Sequence, residues 1–189
     1  MKRNWMAIGL VLALGWTGTA LAETAEREPT LRRIQPSRDA AAMARIELNR
    51  EKLPAQYRSR NNFAWAVAKI DGLDKKEYFA HSGIQNLEDF SSAAAKKVEG
   101  ISLKPQKWQF IPACVNQDDE VDGFDCWVRN VDTEYKILED LAERLPDTAV
   151  AGRVRIYTDL PPCASCWGVM KQFLGTYSNV QMQVLYKQK

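Results

Sequence analysis

Residues 150–176 have the sequence V-A-G-R-V-R-I-Y-T-D-L-P-P-C-A-S-C-W-G-V-M-K-Q-F-L-G-T, which indicates the fold most clearly. Its first part, residues 150–160, has the apolar and β-branched content of a β-strand. Pro161 and Pro162 stand where a helix begins, and the helical pattern runs from Cys163 to about residue 176. The stretch therefore predicts a strand that leads directly into a helix with two cysteines in its first turn.

The segments on either side of this stretch have equally clear patterns. Residues 132–145 place Ile137, Leu138, Leu141 and Leu145 on one helical face, and Pro146 follows at the end. Residues 179–186 are of strand length and composition. The last third of the chain therefore predicts helix, strand, helix and strand.

Upstream, the apolar pattern has the short runs typical of strands. Residues 63–70, F-A-W-A-V-A-K-I, and residues 77–81 flank an Asp-Gly turn and predict a β-hairpin. Residues 86–98 are expected to be helical, and residues 100–131 to form an extended, aromatic and acidic excursion. This order of elements predicts an α/β sandwich with a central mixed sheet.

The amino terminus has the layout of a secretory signal peptide. Lys2 and Arg3 precede an apolar run over residues 6–16, and Ala20-Leu21-Ala22 is a typical cleavage site. The alternative is an uncleaved membrane anchor, but the run is shorter than the about 20 residues that span a bilayer. We expect a secreted or periplasmic protein with no stable membrane association after cleavage.

Three segments follow from these patterns. Residues 1–22 form the signal peptide, and residues 23–54 an N-terminal linker and helix. Within this second segment, residues 23–37 are expected to be a flexible linker, and residues 38–52 a helix capped by Ser37. Residues 55–189 form the third segment, a single domain.

Charge and composition exclude some classes of site and partner. Cleavage would remove two of the 26 basic residues and none of the 24 acidic ones, which leaves 24 of each sign. A neutral chain has no global field that attracts nucleic acid, so any such binding needs a local patch. With one histidine, His81, the chain has no metal site made of several histidines.

The chemistry of the chain is concentrated at two predicted helix starts. Cys163 and Cys166 form C-x-x-C in a first turn, where both sulfurs face one side and the helix N-terminus favours thiolates. The preceding long helix begins with D-T-E at residues 132–134. A ligand-x-Glu pair followed by P-C-x-x-C is the order of the zinc deaminase signature.

The last third of the chain resembles the deaminase domains of bacterial polymorphic toxins, in the nucleic acid and nucleotide deaminase superfamily. The resemblance rests on residues 132–186, with D-T-E-Y-K-I-L-E-D-L-A and Y-T-D-L-P-P-C-A-S-C-W-G-V-M-K-Q-F. The hairpin with F-A-H-S-G at residues 79–83 is similar to the first two strands of such domains. The resemblance covers about residues 55–189 and implies a three-layer α/β/α sandwich of the cytidine deaminase-like type.

The resemblance also implies a site and an activity. Asp132, Cys163 and Cys166 would be ligands of a Zn²⁺ cofactor, and Glu134 the proton shuttle. Aspartate departs from the commoner histidine or cysteine, but carboxylates do ligate zinc. The implied activity is hydrolytic deamination of cytosine or adenine in nucleic acid or nucleotide by a toxin or effector. A cognate immunity protein is the implied partner.

Each of these motifs has an ordinary structural alternative. Aspartate is a common N-cap, and glutamate in a first turn suits the helix dipole. The C-x-x-C motif at Cys163 and Cys166 also occurs in thiol-disulfide proteins of the thioredoxin type. Few residues follow Cys166, however, and no later proline could provide the cis-proline of that fold.

Five further residues are of interest. Cys114 and Cys126 bracket an acidic loop, and export favours a disulfide between them over free thiols. By resemblance, His81 and Ser82 would contact the substrate, although a lone histidine is often structural. Trp167 could stack on a base or belong to the core. The alternative to an enzyme is a binding module that keeps zinc as a structural element, without turnover.

Overall fold

In a computed structural model that describes residues 27–187, the chain forms a five-stranded sheet between two helical layers. The elements, in chain order, are β1 (Thr30–Arg33), α1 (Pro36–Arg50), a 3₁₀ turn (Ala55–Tyr57), β2 (Phe63–Ile70), β3 (Glu77–His81), α2 (Ser92–Lys97), β4 (Cys114–Val115), β5 (Trp127–Val128), α3 (Thr133–Glu143), β6 (Gly152–Thr158), α4 (Ala164–Thr176) and β7 (Val180–Tyr186). The predicted signal peptide lies outside the described residues.

The sheet is mixed, with the strand order β1-β7-β6-β2-β3. β1, β7 and β6 run parallel, and β2 is antiparallel to both β6 and β3. The connection from β6 through α4 to β7 is the strand–helix–strand unit that residues 150–186 predict. The predicted α/β sandwich with a central mixed sheet is confirmed.

Alternation along the strands gives the sheet two buried faces. One face packs against α3 and α4, and small side chains in its middle let α3 approach closely: Ala64, Ala66, Ala68 and Ala80. The opposite face packs against α1 through Phe63, Trp65, Phe79, Tyr157 and Leu185. The result is three layers, with α3 and α4 together on one side.

The N-terminal segment differs from its prediction as a flexible linker. Residues 30–33 form β1, which pairs in parallel with β7 at the edge of the sheet. The prediction was wrong for these residues because their burial pattern is mostly exposed, so they lack the apolar alternation that identifies a strand. Ser37 does not cap α1, which begins with Pro36 after Gln35.

The middle of the chain also differs in detail. The helix expected over residues 86–98 is confined to Ser92–Lys97, and Ser91 caps it by accepting a bond from Ala94 N. The excursion contains the short hairpin of β4 and β5. Among residues 27–187, no helix is both long and apolar enough to cross a bilayer.

Topology brings one end of several elements to the same place. β6 and β2 are antiparallel, so the end of β6 at Thr158 lies beside the start of β2. The end of β3 at His81 pairs with the start of β2 at Phe63. The loop after β6 leads into α4, and α3 packs on the same face with its N-terminus at this end. The predicted site residues therefore meet at one end of the strands, the edge of the sheet where β3 and β6 end and β2 begins.

Candidate metal centre

Two helix N-termini converge at this edge. Asp132 occupies the N-cap position of α3, yet its side chain makes no capping hydrogen bond. Its Oδ2 instead lies 3.3 Å from Cys163 Sγ and 3.4 Å from Cys166 Sγ, within reach of both thiols. The capping alternative for Asp132 therefore describes its backbone position but not what its carboxylate does.

The two cysteines belong to the first turn of α4. Cys163 is its N-cap, and Cys163 Sγ accepts a bond from Cys166 N at 3.5 Å, which turns both sulfurs to one side. Neither forms a disulfide. One potential ligand atom from each of Asp132, Cys163 and Cys166 lies within 4.8 Å of the others. The structure thus brings together the three residues predicted as ligands.

The donor set fits a zinc ion. Tetrahedral zinc with ordinary bond lengths separates a sulfur and a carboxylate ligand by about 3.6 Å, close to the observed spacings. Three protein ligands leave a fourth position open, as in catalytic zinc sites. Asp132 and Cys163 are half-buried whereas Cys166 is buried, so the cluster is accessible from the side of Asp132 and Cys163.

The charges around Cys166 also favour a cation. The hydrogen bond with Cys163 raises the pKa of the Cys166 thiol, and burial and the nearby Glu134 and Asp132 carboxyl groups raise it further. Several potential anions therefore crowd one point. A bound divalent ion reverses this balance because coordinated thiols lose their protons.

Glu134 lies directly beside the cluster. It is 2% exposed, and its Oε2 is 3.7 Å from Cys166 Sγ. Burial raises the pKa of the Glu134 carboxyl group, and the charge of Asp132 adds to that effect. A carboxyl group with a raised pKa next to a reaction centre is suited to taking up and returning a proton.

A hydrogen-bond chain that the sequence reasoning missed fixes Glu134. Thr133 Oγ1 donates to Glu134 Oε2 at 2.7 Å, and Asn62 Nδ2 donates to Thr133 Oγ1 at 2.7 Å. Asn62 also donates to Thr158 Oγ1 at 2.9 Å and accepts from Leu160 N at 3.1 Å. Since Thr133 accepts from Asn62, its own proton is directed to Glu134.

His81 is buried behind this site, and both of its ring nitrogens have partners. Nε2 lies 2.8 Å from Arg60 O, and Nδ1 accepts from Gly83 N at 3.1 Å. Burial lowers the pKa of His81, consistent with a neutral ring that is protonated on Nε2. Its role in substrate binding stays a prediction, and the observed bonds are structural.

Lys136 is a second buried group that the sequence reasoning did not single out. Its ammonium group donates to His81 O at 2.8 Å, Ile84 O at 2.7 Å and Gln85 Oε1 at 3.1 Å. Burial lowers its pKa to about 7. Lys136 therefore ties α3 to the loop that follows β3.

The remaining predicted residues lie near the site. Ser82 is half-buried, and its Oγ accepts from Asn62 N at 3.0 Å. Trp167 is partly buried and packs against the core beneath α3 and α4. Substrate contacts by Ser82 and Trp167 stay predictions. The disulfide expected between Cys114 and Cys126 is present, with their Cα atoms 5.3 Å apart.

With this geometry in place, the chain can be compared with known proteins. One protein family, described as Toxin-deaminase, the BURPS668_1122 family of deaminases, matches residues 47–188. The matched region contains the whole cluster, both strands of the hairpin, and α3 and α4. No curated protein and no solved structure matches the chain.

Proposed function

The chain belongs to the Toxin-deaminase family, and from that premise we propose that it is a zinc-dependent deaminase acting on cytosine or adenine in nucleic acid or nucleotide. Family membership makes it a hydrolytic deaminase. The observation that carries the finer proposal is the position of the Asp132 carboxylate, 3.3 and 3.4 Å from two thiols and next to Glu134. That arrangement has the ligands and the proton carrier of hydrolytic deamination.

Asp132, Cys163 and Cys166 would hold the ion. Zinc supplies Lewis-acid activation of the attacking water. The reaction adds the water oxygen to the amine-bearing ring carbon and breaks its C–N bond, so that ammonia leaves and a carbonyl remains. The product base is uracil or hypoxanthine.

The chain's own residues would move the protons. Glu134 takes one proton from the water and delivers it to the ring nitrogen, then takes the proton that remains on the added oxygen and delivers it to the departing amine. Thr133 and Asn62 hold the Glu134 carboxyl group in one orientation during these transfers. The buried position of Glu134 keeps bulk water from competing for the proton.

The test separates metal binding from proton transfer. Residues 23–189 are expressed in cells that lack uracil repair and the genome is sequenced for C-to-T or A-to-G changes, while ammonia release from single-stranded RNA and from nucleotides is measured on the purified chain. Glu134→Gln should lose at least about a hundredfold in mutation rate and keep its zinc, the loss expected for a missing general acid–base. Asp132→Ala should lose both. Glu143→Gln, an exposed change on the same helix, is the matched control.

The same variants distinguish the alternatives. A binding module that keeps zinc only as a structural element would deaminate no base as the wild type. Glu134→Gln would then leave every measured property of the protein unchanged. A thiol-disulfide protein would depend on Cys163 and Cys166 and not on Glu134. Either pattern contradicts the proposal.

We also propose that the protein is exported, with residues 1–22 as a cleaved signal peptide, and that it acts as a toxin with a cognate immunity protein. The layout of Lys2, Arg3, the apolar run and the Ala20-Leu21-Ala22 site supports export. Fractionation with N-terminal sequencing tests the cleavage site, for which Glu23 is the expected first residue.

The charge of the mature chain bears on the form of the substrate. Because the mature chain is neutral, it lacks the global positive field that holds a protein on duplex nucleic acid. The base would be free, single-stranded or flipped out of a duplex.

A further inference from the structure

The disulfide-closed loop, residues 114–126, contacts the helix that carries the two thiols. Asp119 Oδ1 accepts a hydrogen bond from Ala164 N, the first residue of α4, at 2.8 Å. Just before the loop, Ala113 N donates to Ser165 Oγ at 2.9 Å. Both contacts reach the residues that separate Cys163 from Cys166, although the loop lies some 40 to 50 residues away in sequence.

The loop is built so that Asp119 points at α4. Asn116 Oδ1 accepts from Asp118 N at 3.0 Å and from Glu120 N at 2.9 Å, which folds the chain around it. Asp119 has a φ of 64°, a left-handed conformation that aspartate and asparagine tolerate better than most residues. The Cys114–Cys126 bridge closes the base of this turn.

The hydrogen bond from Ala164 N to Asp119 matters because two structural requirements meet at the N-terminus of α4. Its first N–H groups need acceptors, and its first turn must aim both sulfurs at one point. Asp119 satisfies Ala164 N, while Cys163 Sγ accepts from Cys166 N. Without Asp119, the first turn would lose the acceptor that fixes it from outside, and the two thiols would be less well aligned.

We propose that Asp119 is a positioning residue of the metal site, held by the Cys114–Cys126 disulfide so that α4 presents both thiols to one ion. The inference rests on the zinc binding proposed above. Asp119 accepts from the backbone N–H of Ala164, which lies between the two cysteines in sequence, so it acts through the backbone of α4.

The test measures zinc affinity by competition with a chelator, a readout that is independent of deaminase activity. Asp119→Gly keeps the left-handed backbone but removes the acceptor, and it should weaken zinc binding about fivefold, the loss expected for one missing hydrogen bond. Asp119→Asn keeps an acceptor oxygen and should stay within about twofold. Asp122→Gly, at a second position of positive φ in the same loop, controls for loop flexibility.

The outcomes are distinct. Wild-type affinity in Asp119→Gly overturns the inference and leaves the proposed function intact. An equal loss in Asp122→Gly also overturns it, because the effect would then come from loop flexibility. A wild-type chain that binds no zinc overturns both proposals.

A second experiment tests the part played by the bridge. Cys114→Ser with Cys126→Ser should weaken zinc binding at least as much as Asp119→Gly, and combining all three changes should add little, because the bridge acts through Asp119. Full additivity of the two losses would overturn the link between them. If the variant without the bridge does not fold, the Asp119 pair alone decides.

Discussion

Thr133 is the residue whose function is most sharply defined by its contacts. Its hydroxyl accepts from Asn62 and donates to Glu134, so it controls the orientation of the carboxyl group without touching the predicted ligand atoms. A buried hydroxyl of this kind can be replaced by a methyl group of the same size. This makes its contribution measurable.

Thr133→Val should lower kcat at least about tenfold and leave KM and zinc content near wild type, because one hydrogen bond to a charged group is worth about 1.5–3 kcal/mol. Thr133→Ser keeps the hydroxyl and should restore most of the activity. Steady-state kinetics on a short single-stranded oligonucleotide or a nucleotide give both constants. An equal loss in both variants would show that the methyl group, and not the hydroxyl, is what matters.

At this scale the sequence predicted the side chains that share a motif and missed those that meet only in the fold. The order of D-T-E and P-C-x-x-C groups four residues, and the structure brings them together: Asp132, Glu134, Cys163 and Cys166. Asn62 lies 71 residues from Thr133, and no local pattern marks it. The D-T-E motif includes Thr133 as its middle residue, but it gives no indication of the hydrogen-bond partners of Thr133.

Among the elements, β1 and α1 are joined by one buried ion pair. Arg32 donates to both carboxylate oxygens of Asp39 at 2.7 Å, and Gln35 N donates to the same carboxylate at 2.8 Å. The side chain of Asp39 is 2% exposed. The hydrogen bonds from Arg32, the largest favourable cause, lower the pKa of Asp39 to about 2.

Asp39→Asn should therefore reduce the free energy of unfolding by about 2 kcal/mol at pH 7, since it leaves Arg32 without its charged partner. The folded carboxyl group has the lower pKa, so its stabilisation is present above the ordinary value of 3.8 and is lost as the pH falls towards 2. Urea unfolding of both proteins at several pH values measures the difference.

The difference between wild type and variant should shrink as the pH is lowered from 4 towards 2. Asp89→Asn, at an exposed position, should change stability by less than about 0.5 kcal/mol. A difference for Asp39→Asn that is constant with pH would contradict the ion pair.

The sequence predicted the elements with strong periodicity and missed those whose stability comes from their neighbours. α3, α4 and β6 carry buried apolar residues at regular spacing, and their existence followed from the pattern. β1 has four mostly exposed residues and is defined by its pairing with β7. No local signal distinguishes such an edge strand from a charged linker.

In the molecule as a whole, α1 packs on one face of the sheet and covers it. Ile46, 2% exposed, packs in the cluster that contains Phe63 and Trp65. Arg50 donates through two nitrogens to Asp159, on the loop that leads from β6 to Cys163. The matched family region begins at residue 47 and so omits most of this layer.

A chain of residues 47–189 should therefore be much less stable than one of residues 27–189. Losing Ile46 alone costs about 2–4 kcal/mol by the usual loss for a buried aliphatic side chain. Thermal unfolding followed by circular dichroism compares the two chains. Equal midpoints would show that the N-terminal layer is dispensable.

Point substitutions make the same test without truncation. Ile46→Ala should cost about 2–4 kcal/mol, whereas Leu48→Ala, on the same helix but 49% exposed, should cost less than about 1 kcal/mol. Equal effects of the two changes would contradict the packing of α1 on the sheet.

We propose that one carboxylate and two sulfurs from two helix N-termini hold a single zinc ion. X-ray absorption at the zinc edge, on purified chain 23–189 loaded with one equivalent of zinc, measures the ligands of that ion. We expect two sulfur neighbours at about 2.3 Å and two oxygen or nitrogen neighbours at about 2.0 Å. Zinc with no sulfur neighbour, or with four, would contradict it.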